Sequence, residues 1–362
     1  MKEKKSGLSP DLIIHPGETL FELLENRNMK QKELALRTGF SEKHISEIIN
    51  GKATITSKFA VSLEKVFDVS ATFWLNLQAN YDIELIDCEE FNTVSNEELS
   101  ILAELKDITK YLKNIGLLAK NQSEENDVIN LRKFLAVANL AVIPSLQFNA
   151  AFRTSKSTQV NPYVLFTWIR LCEVLADDIK VSNTLSIQKL RNSIVHMKNV
   201  MYSETDCIND ELREIFSECG IRFQIVKHFK GAPVHGFIEK TDADKMILFM
   251  TIRQAWADIF WFTLFHEIGH IVNEDIKTRF VDYTFAETEE EVMADKFAQD
   301  VLLSPNAYSE FIATDDFSMD SIKKLAKKEN VKPYIVIGRL QKEKRLSYKS
   351  YTPEKVRYKW AE

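Results

Sequence analysis

Residues 266–270 read His-Glu-Ile-Gly-His, inside a run that is apolar on nearly every side. Ile259-Phe-Trp-Phe-Thr-Leu-Phe265 leads in, and Ile268, Ile271 and Val272 carry it on. Such a segment is a buried helix, because it has no polar face to turn toward water. Two imidazoles and a carboxylate inside a buried helix are costly unless something partners them. That requirement constrains the rest of the chain. His266 and His270 stand one helical turn apart, so both rings point the same way and suit one Zn²⁺. Glu267 is placed to take a proton from a water activated by that metal. Gly269 weakens the helix but admits a second element close to it.

A third ligand is expected downstream, where Glu287-Thr-Glu-Glu-Glu-Val-Met-Ala-Asp-Lys-Phe-Ala298 reads as another helix. Glu287, Glu289, Glu290 and Glu291 compete for the role. From Glu291, the residues Ala294, Asp295 and Ala298 fall on one face, and the two alanines allow close packing on the histidine helix. Glu290 instead shares a face with Met293, Ala294 and Phe297, a core pattern. Glu291 is therefore the predicted ligand. Asp295 is predicted to accept the free ring N–H of a histidine, His266. The remaining glutamates fit a solvated acidic first turn. Two His, one Glu and an open fourth position form a catalytic pattern, since structural zinc sites are usually closed by four protein ligands. Glu267 is then the expected general base of a peptidase, later passing its proton to the leaving amine. A donor for the oxyanion is also expected, with His235, Tyr283 and Arg253 as candidates.

At 362 residues, 45% of them hydrophobic, the chain is long enough for two or more domains with their own cores. A net charge of −6 offers no global basic field to nucleic acid. Cys88, Cys172, Cys207 and Cys219 have no C-x-x-C spacing, which reads as reduced thiols in a cytoplasmic protein. The lysine-rich start lacks the apolar segment of a secretory signal. The longest apolar runs, 259–265 and 246–250, are too short to span a bilayer, so no membrane association is expected.

The first eighty residues carry a second pattern. Pro16-Gly-Glu-Thr-Leu opens a helix striped by Leu20, Leu23 and Leu24. Met29 to Gly39 is a short helix ended by glycine. Ser41 N-caps the next, with Ile45, Ile48 and Ile49 inward and Gly51 closing it. Ala35 is small where the two would cross. Helices at 57–67 and 71–77 complete a predicted five-helix bundle around a helix-turn-helix. Residues 41–50 would be the recognition helix, with Ser41, Lys43, His44 and Ser46 toward the bases and Gln31, Lys52 and Thr54 near phosphates. Residues 1–80 carry 11 Lys/Arg against 10 Asp/Glu, net +1, and Glu42 and Glu47 repel phosphate. Binding of operator DNA would then call for a homodimer reading two half-sites.

Residues 8–81 resemble the HigA antitoxin branch of the Xre/Cro-type helix-turn-helix family. The resemblance lies in His15-Pro-Gly-Glu-Thr-Leu, Lys32-Glu-Leu-Ala, Ile48-Ile-Asn-Gly-Lys-Ala-Thr-Ile-Thr and Phe73-Trp-Leu-Asn-Leu-Gln-Ala-Asn-Tyr-Asp82. It implies a dimeric DNA-binding module, often autoregulating and often paired with a toxin.

Between the two patterns, residues 83–125 read as a linker passing into a helix at 96–114, with a surface loop at 121–126. Leu140-Ala-Val-Ile-Pro is a strand candidate, and 148–160 a polar loop suited to line a cleft. Helices are predicted at 162–177, 186–199 and 208–218. Strands are predicted at Ile221–His228, Pro233–Glu239 and Lys245–Ile252. A small sheet feeding an HExxH helix is the layout of zincin peptidases, where an edge strand holds extended substrate.

Residues 130–343 resemble the ImmA/IrrE family of zinc metallopeptidases through Phe260-Trp-Phe-Thr-Leu-Phe-His-Glu-Ile-Gly-His, Glu291-Val-Met-Ala-Asp-Lys-Phe-Ala, Val301-Leu-Leu-Ser-Pro and Val336-Ile-Gly-Arg-Leu-Gln341. The resemblance implies zinc on His266, His270 and Glu291, Glu267 as base, and cleavage of Xre-type repressors. Met293 departs from it, standing where a glutamate is common. Residues 318–343 look superficially like another helix-turn-helix, but their repeated lysines suit the solvated face of a helical cap.

The expected architecture is α+β and mostly helical. A five-helix DNA-binding bundle (8–82) leads through a connecting segment (83–129) to a gluzincin-like peptidase domain (130–343) and a tail (344–362). Two functions compete. One is a DNA-binding zinc endopeptidase acting on a repressor- or antitoxin-like protein. The other is a non-proteolytic regulator or antitoxin with a structural or sensory zinc site.

Overall fold

The computed structural model describes residues 13–90, 93–146, 160–203, 206–240, 246–274, 279–282 and 288–360. The chain divides into two compact units, one of residues 1–99 with 121–130, the other of residues 100–120 with 131–362.

The first unit is built on α1 (Pro16–Asn26), α2 (Gln31–Thr38), α3 (Glu42–Ile49), α4 (Ser57–Phe67) and α5 (Ala71–Glu90). Leu20, Leu24, Leu34, Ile45, Ile48, Phe59, Leu63, Phe67 and Trp74 fill its core. Gly39 ends α2 in the left-handed region, φ 77°, where a side chain would be strained. The Ser41 hydroxyl accepts the His44 N–H at 3.2 Å, a cap worth about 1 kcal/mol. Residues of three of the stretches that carry the HigA resemblance, 15–20, 48–56 and 73–82, meet in one place. His15 caps α1 by accepting the Gly17 N–H on Nδ1 at 2.9 Å, and its ring meets Tyr81 edge-on. A side chain on Gly17 would run into the Ile48 carbonyl. Gln78 accepts the Ile55 N–H at 2.9 Å and donates to Asp82 at 2.9 Å. The last helix runs well past Leu77, where the pattern placed its end.

The single helix predicted at 96–114 is two, α6 (Asn96–Glu104) and α7 (Lys106–Asn114). Next, α8 (Glu124–Leu135) stops at Ala136, φ 54°. This stop breaks the apolar stretch 124–145, so no continuous helix runs through it. The predicted strand at 140–144 is a 3₁₀ turn, Leu140–Ser145, begun by the Asn139 side chain accepting the Ala141 N–H and carrying Pro144. Local side-chain capping here overrode the apolar pattern.

In the second unit, α9 (Pro162–Asp178), α10 (Ile187–Ser203) and α11 (Ile208–Glu218) lead into a four-stranded sheet. Its strands β1 (Ile221–Val226), β2 (Gly236–Lys240), β3 (Met246–Thr251) and β4 (Arg279–Asp282) lie in the order β1-β3-β2-β4. β1 and β3 are parallel and the other pairings antiparallel. All six residues of β3 are buried, as a continuous apolar run in a central strand should be. β4 was not foreseen. It lies at the sheet edge, with Gly236 opposite Asp282.

The sheet packs on α12 (Ala257–Asn273), followed by α13 (Glu289–Leu302), α14 (Pro305–Ala313), α15 (Met319–Lys328) and α16 (Pro333–Lys342). In α16, Tyr334, Ile335, Val336, Ile337 and Leu340 are buried in the core shared with α12. The pair α15–α16 is therefore a cap, as the lysine pattern suggested. Residues 344–358 are not a separate tail. Val356 accepts the Ala257 N–H, the Tyr358 N–H donates to Ala255, and the Trp261 indole donates to the Tyr358 hydroxyl at 2.8 Å. Backbone pairing to the start of α12 makes this segment part of the unit.

Candidate functional site

α12 is buried along nearly its whole length, with Phe260, Trp261, Leu264, Phe265, Ile268 and Ile271 in the core. His266 and Glu267 are 0% exposed, His270 1% and Glu291 5%. Thr288 caps α13 by accepting the Glu291 N–H, which puts Glu291 in the first turn, over the histidines. Its carboxylate oxygens lie 3.2 Å from His266 Nε2 and 3.7 Å from His270 Nε2. The two Nε2 atoms are 3.1 Å apart. One ligand atom from each of the three residues falls within 4.8 Å of the others.

Asp295 Oδ1 stands 2.8 Å from His266 Nδ1. A carboxylate accepts, so Nδ1 carries the proton and the Nε2 lone pair faces His270 and Glu291. Two ring nitrogens and a carboxylate crowded together are mutually repulsive unless a cation lies among them, and a divalent ion fits this donor set. Burial raises the Glu291 pKa, and positive charge at His266 and His270 beside it outweighs that and lowers it to about 2; with the rings neutral, a cation among the three would take that place.

Two glycines make the approach possible. A Cβ on Gly269 would lie 3.0 Å from Ala294 Cα, so α13 lies tightly on α12, as the small residues predicted. A Cβ on Gly236 would collide with the Glu267 carboxylate. β2 therefore presses on Glu267, and Gly236 was missed in the sequence. Its only signal was a glycine inside a strand.

A cleft of about 340 Å³, lined in part by His235, Phe262, Asp295, Gln299, Asp258 and Lys355, adjoins the histidines through Asp295 and is not lined by His266, Glu267, His270 or Glu291 themselves. Of the three oxyanion candidates, His235 lies on this cleft. Arg253 Nη1 stands 3.2 Å from His235 Nε2 and donates to the Pro233 carbonyl at 2.8 Å. A guanidinium only donates, so the His235 proton is on Nδ1. Burial, then the charge of Arg253, lowers the His235 pKa to about 4, so its ring is a neutral N–H donor at pH 7. Arg253 orients His235. Tyr283 lies outside the described residues.

In the first unit, Lys43, Lys52 and Thr54 are exposed, and Gln31 and Ser46 half-buried. Lys43 lies 3.8 Å from Glu47. The Ser41 hydroxyl accepts the His44 N–H as a cap, and Ser46 accepts from Asn50 through its carbonyl and hydroxyl oxygens. His44 departs from expectation. Its ring stacks on Phe40 at 5.4 Å and meets Phe59 edge-on, with Nε2 buried. An imidazole held between two aromatic rings is packing, and it is not presented to bases.

A helix-turn-helix family model matches residues 20–74. The uncharacterized HTH-type transcriptional regulator YbaQ of Escherichia coli K12 is 36% identical over 98 residues, which is 27% of this chain and 81% of that protein. An HTH-type transcriptional regulator of Haemophilus influenzae is 41% identical over 68 residues, 18% of this chain and 64% of that one. Among solved structures, a HigA-family addiction module antidote protein from Coxiella burnetii is 31% identical, covering 28% of this chain and 92% of that chain, with a TM-score of 0.19. By these residues of its first unit, the chain belongs to the helix-turn-helix family.

Proposed function

We propose that this chain is a helix-turn-helix transcriptional regulator that binds operator DNA through its first unit and carries a zinc-dependent endopeptidase centre in its second. The observation that carries the peptidase reading is the convergence of His266, His270 and Glu291, with Asp295 fixing the His266 ring and Glu267 buried beside them. Three protein ligands, with no fourth His, Cys, Asp or Glu joining them among the described residues, suit a catalytic rather than a closed structural site. Zinc held there would supply Lewis-acid activation of a water and of the scissile carbonyl.

The chain's own residues do the rest. Glu267 takes the proton of the attacking water and returns it to the leaving amine. Glu291, as a carboxylate, would complete the ligand set with His266 and His270. The Nδ1–H of His235, on the wall of the same cleft, is the donor available to the developing oxyanion. A repressor- or antitoxin-like protein is the proposed substrate, a homodimer the proposed assembly on DNA, and a toxin a further proposed partner.

A second reading draws on the relatives, which are named as transcriptional regulators and share the first unit's stretch. In it, the chain regulates without proteolysis and the metal is structural or sensory. Comparing cells that express wild type or Glu267→Gln by fragment mass spectrometry, with zinc content measured on both purified proteins, separates the two. A fragment made only by wild type, with equal zinc in both, supports the peptidase. Equal zinc and equal DNA binding with no differing fragment support the second reading.

A further inference from the structure

The net charge of −6 is unevenly placed. Residues 319–360 carry 13 Lys and Arg against 4 Asp and Glu, net +9, and the remainder of the chain is net −15. Several of these cations are already paired. Lys355 pairs with Asp258 at 2.9 Å, Arg339 and Arg345 with Glu343, Lys328 with Glu310 and Lys323 loosely with Glu354 at 3.8 Å. Lys324, Lys327, Lys344 and Lys349 are exposed and have no ion-pair partner among the described residues.

Lys324 and Lys327 stand on α15, and Lys344 and Lys349 on the segment after α16. Along α15, Lys323 and Lys327, and Lys324 and Lys328, are like-charge pairs one turn apart, an arrangement that destabilises a helix by itself. The Tyr351 hydroxyl donates to the Phe317 carbonyl at 3.0 Å and Glu354 reaches Lys323, so residues 351–354 lie against the start of α15. One lysine of each pair is paired, Lys323 with Glu354 and Lys328 with Glu310, and the other, Lys327 or Lys324, is left exposed, a cation that complements a polyanion. α16, the second helix of the pair, is buried in the core and is not free to act as a recognition helix, so the exposed lysines of α15 are the groups this pair offers, and lysines suit phosphates.

We propose that the lysine face of α15, together with Lys344 and Lys349, binds the phosphate backbone of double-stranded DNA. It adds the electrostatic attraction that the first eighty residues, net +1, supply only weakly. The proposal rests on the reading of the first unit as DNA-binding. The acidic remainder opposes it little, because screening confines each charge's reach to about 10 Å at 0.1 M salt.

The test uses the full chain, a fluorescent duplex of random sequence of about 30 base pairs, and anisotropy across a salt series. Replacing Lys324, Lys327, Lys344 and Lys349 together by Gln should flatten the log K against log salt slope by about 2–4 units, at roughly 0.9 for each phosphate no longer neutralised. Affinity near 0.1 M salt should fall tenfold or more. A charge-matched variant, Lys106, Lys110, Lys180 and Lys189 to Gln, should bind as wild type, and an equal loss there would assign the effect to bulk charge and overturn the proposal. Lys43→Gln with Lys52→Gln tests the bundle. If that variant abolishes binding while the α15 variant equals wild type, the lysine face is refuted and the bundle reading stands. If wild type binds no duplex at low salt, both fall. Unchanged circular dichroism in each variant establishes that folding is not the cause.

Discussion

The two units hold their candidate functional residues in opposite ways. In the second, His266, Glu267, His270 and Glu291 are at most 5% exposed, and neighbours fix them: Asp295 on His266, Gly236 against Glu267, Ala294 under Gly269. In the first, the Lys43 side chain is 85% exposed and no packing holds it. Buried polar groups must be satisfied, so their geometry is over-determined. Exposed ones answer to a partner that the chain alone does not contain.

The largest effects should break the units apart functionally. His270→Ala should reduce bound zinc from about one per chain to nearly none, since two protein ligands rarely hold the ion. Glu267→Gln should keep the metal and lower peptide cleavage by roughly 10²–10⁴-fold. Metal analysis of the purified variants reads the first, and cleavage of the substrate found in cells reads the second. Neither should alter DNA binding. Loss of zinc in Glu267→Gln would mean that Glu267 is a ligand and not the base.

Asp295→Asn should weaken zinc affinity about 10–100-fold by freeing the His266 ring, measured by competition with a chelating dye. Unchanged affinity would leave Asp295 as an ordinary surface acid. This residue bears on what could be read in advance. The convergence of His266, His270 and Glu291 and the contact of Asp295 with His266 were legible because helical spacing fixes direction to within a turn. Gly236, β4 and the packing of 344–358 on α12 were not, because they depend on pairing between segments far apart in sequence, which periodicity does not encode. The turn at 140–145 was misread as a strand for the opposite reason. A local cap by Asn139 decided it, and four apolar residues cannot distinguish strand from turn.

A pH difference sharpens the comparison further. Burial lowers the His15 pKa, against the pull of Asp82 and then Glu18. The folded state therefore binds fewer protons than the unfolded one below about 6.5, so stability from this residue is present above that pH and is lost as pH falls toward the lowered value. Protonation also removes the Nδ1 lone pair that caps Gly17. Glu291, held at about 2, stays ionised across the same window. Hydrogen exchange of the α1 amides, corrected for intrinsic rate, should show more opening at pH 5.5 than at 7.5. His15→Asn keeps an acceptor without titrating and should flatten the difference. A pH dependence that persists in His15→Asn would place the titrating group elsewhere.

The smallest effect separates two neighbours on α3. Lys43 faces solvent, so Lys43→Gln should change stability by less than about 0.5 kcal/mol while weakening DNA binding, most at low salt. His44 stacks on Phe40 and meets Phe59, so His44→Ala should cost about 0.5–1.5 kcal/mol of aromatic packing. It should weaken DNA binding no further than that loss explains. Urea unfolding and duplex titration on the same two variants decide it. If His44→Ala left stability untouched but relaxed preference for one base pair, the ring would have to leave its aromatic slot on DNA, and the exposed and packed faces of α3 would exchange roles. The buried Nε2 opposes that exchange: the slot excludes water from one nitrogen, and a base could engage it only after the ring had left Phe40.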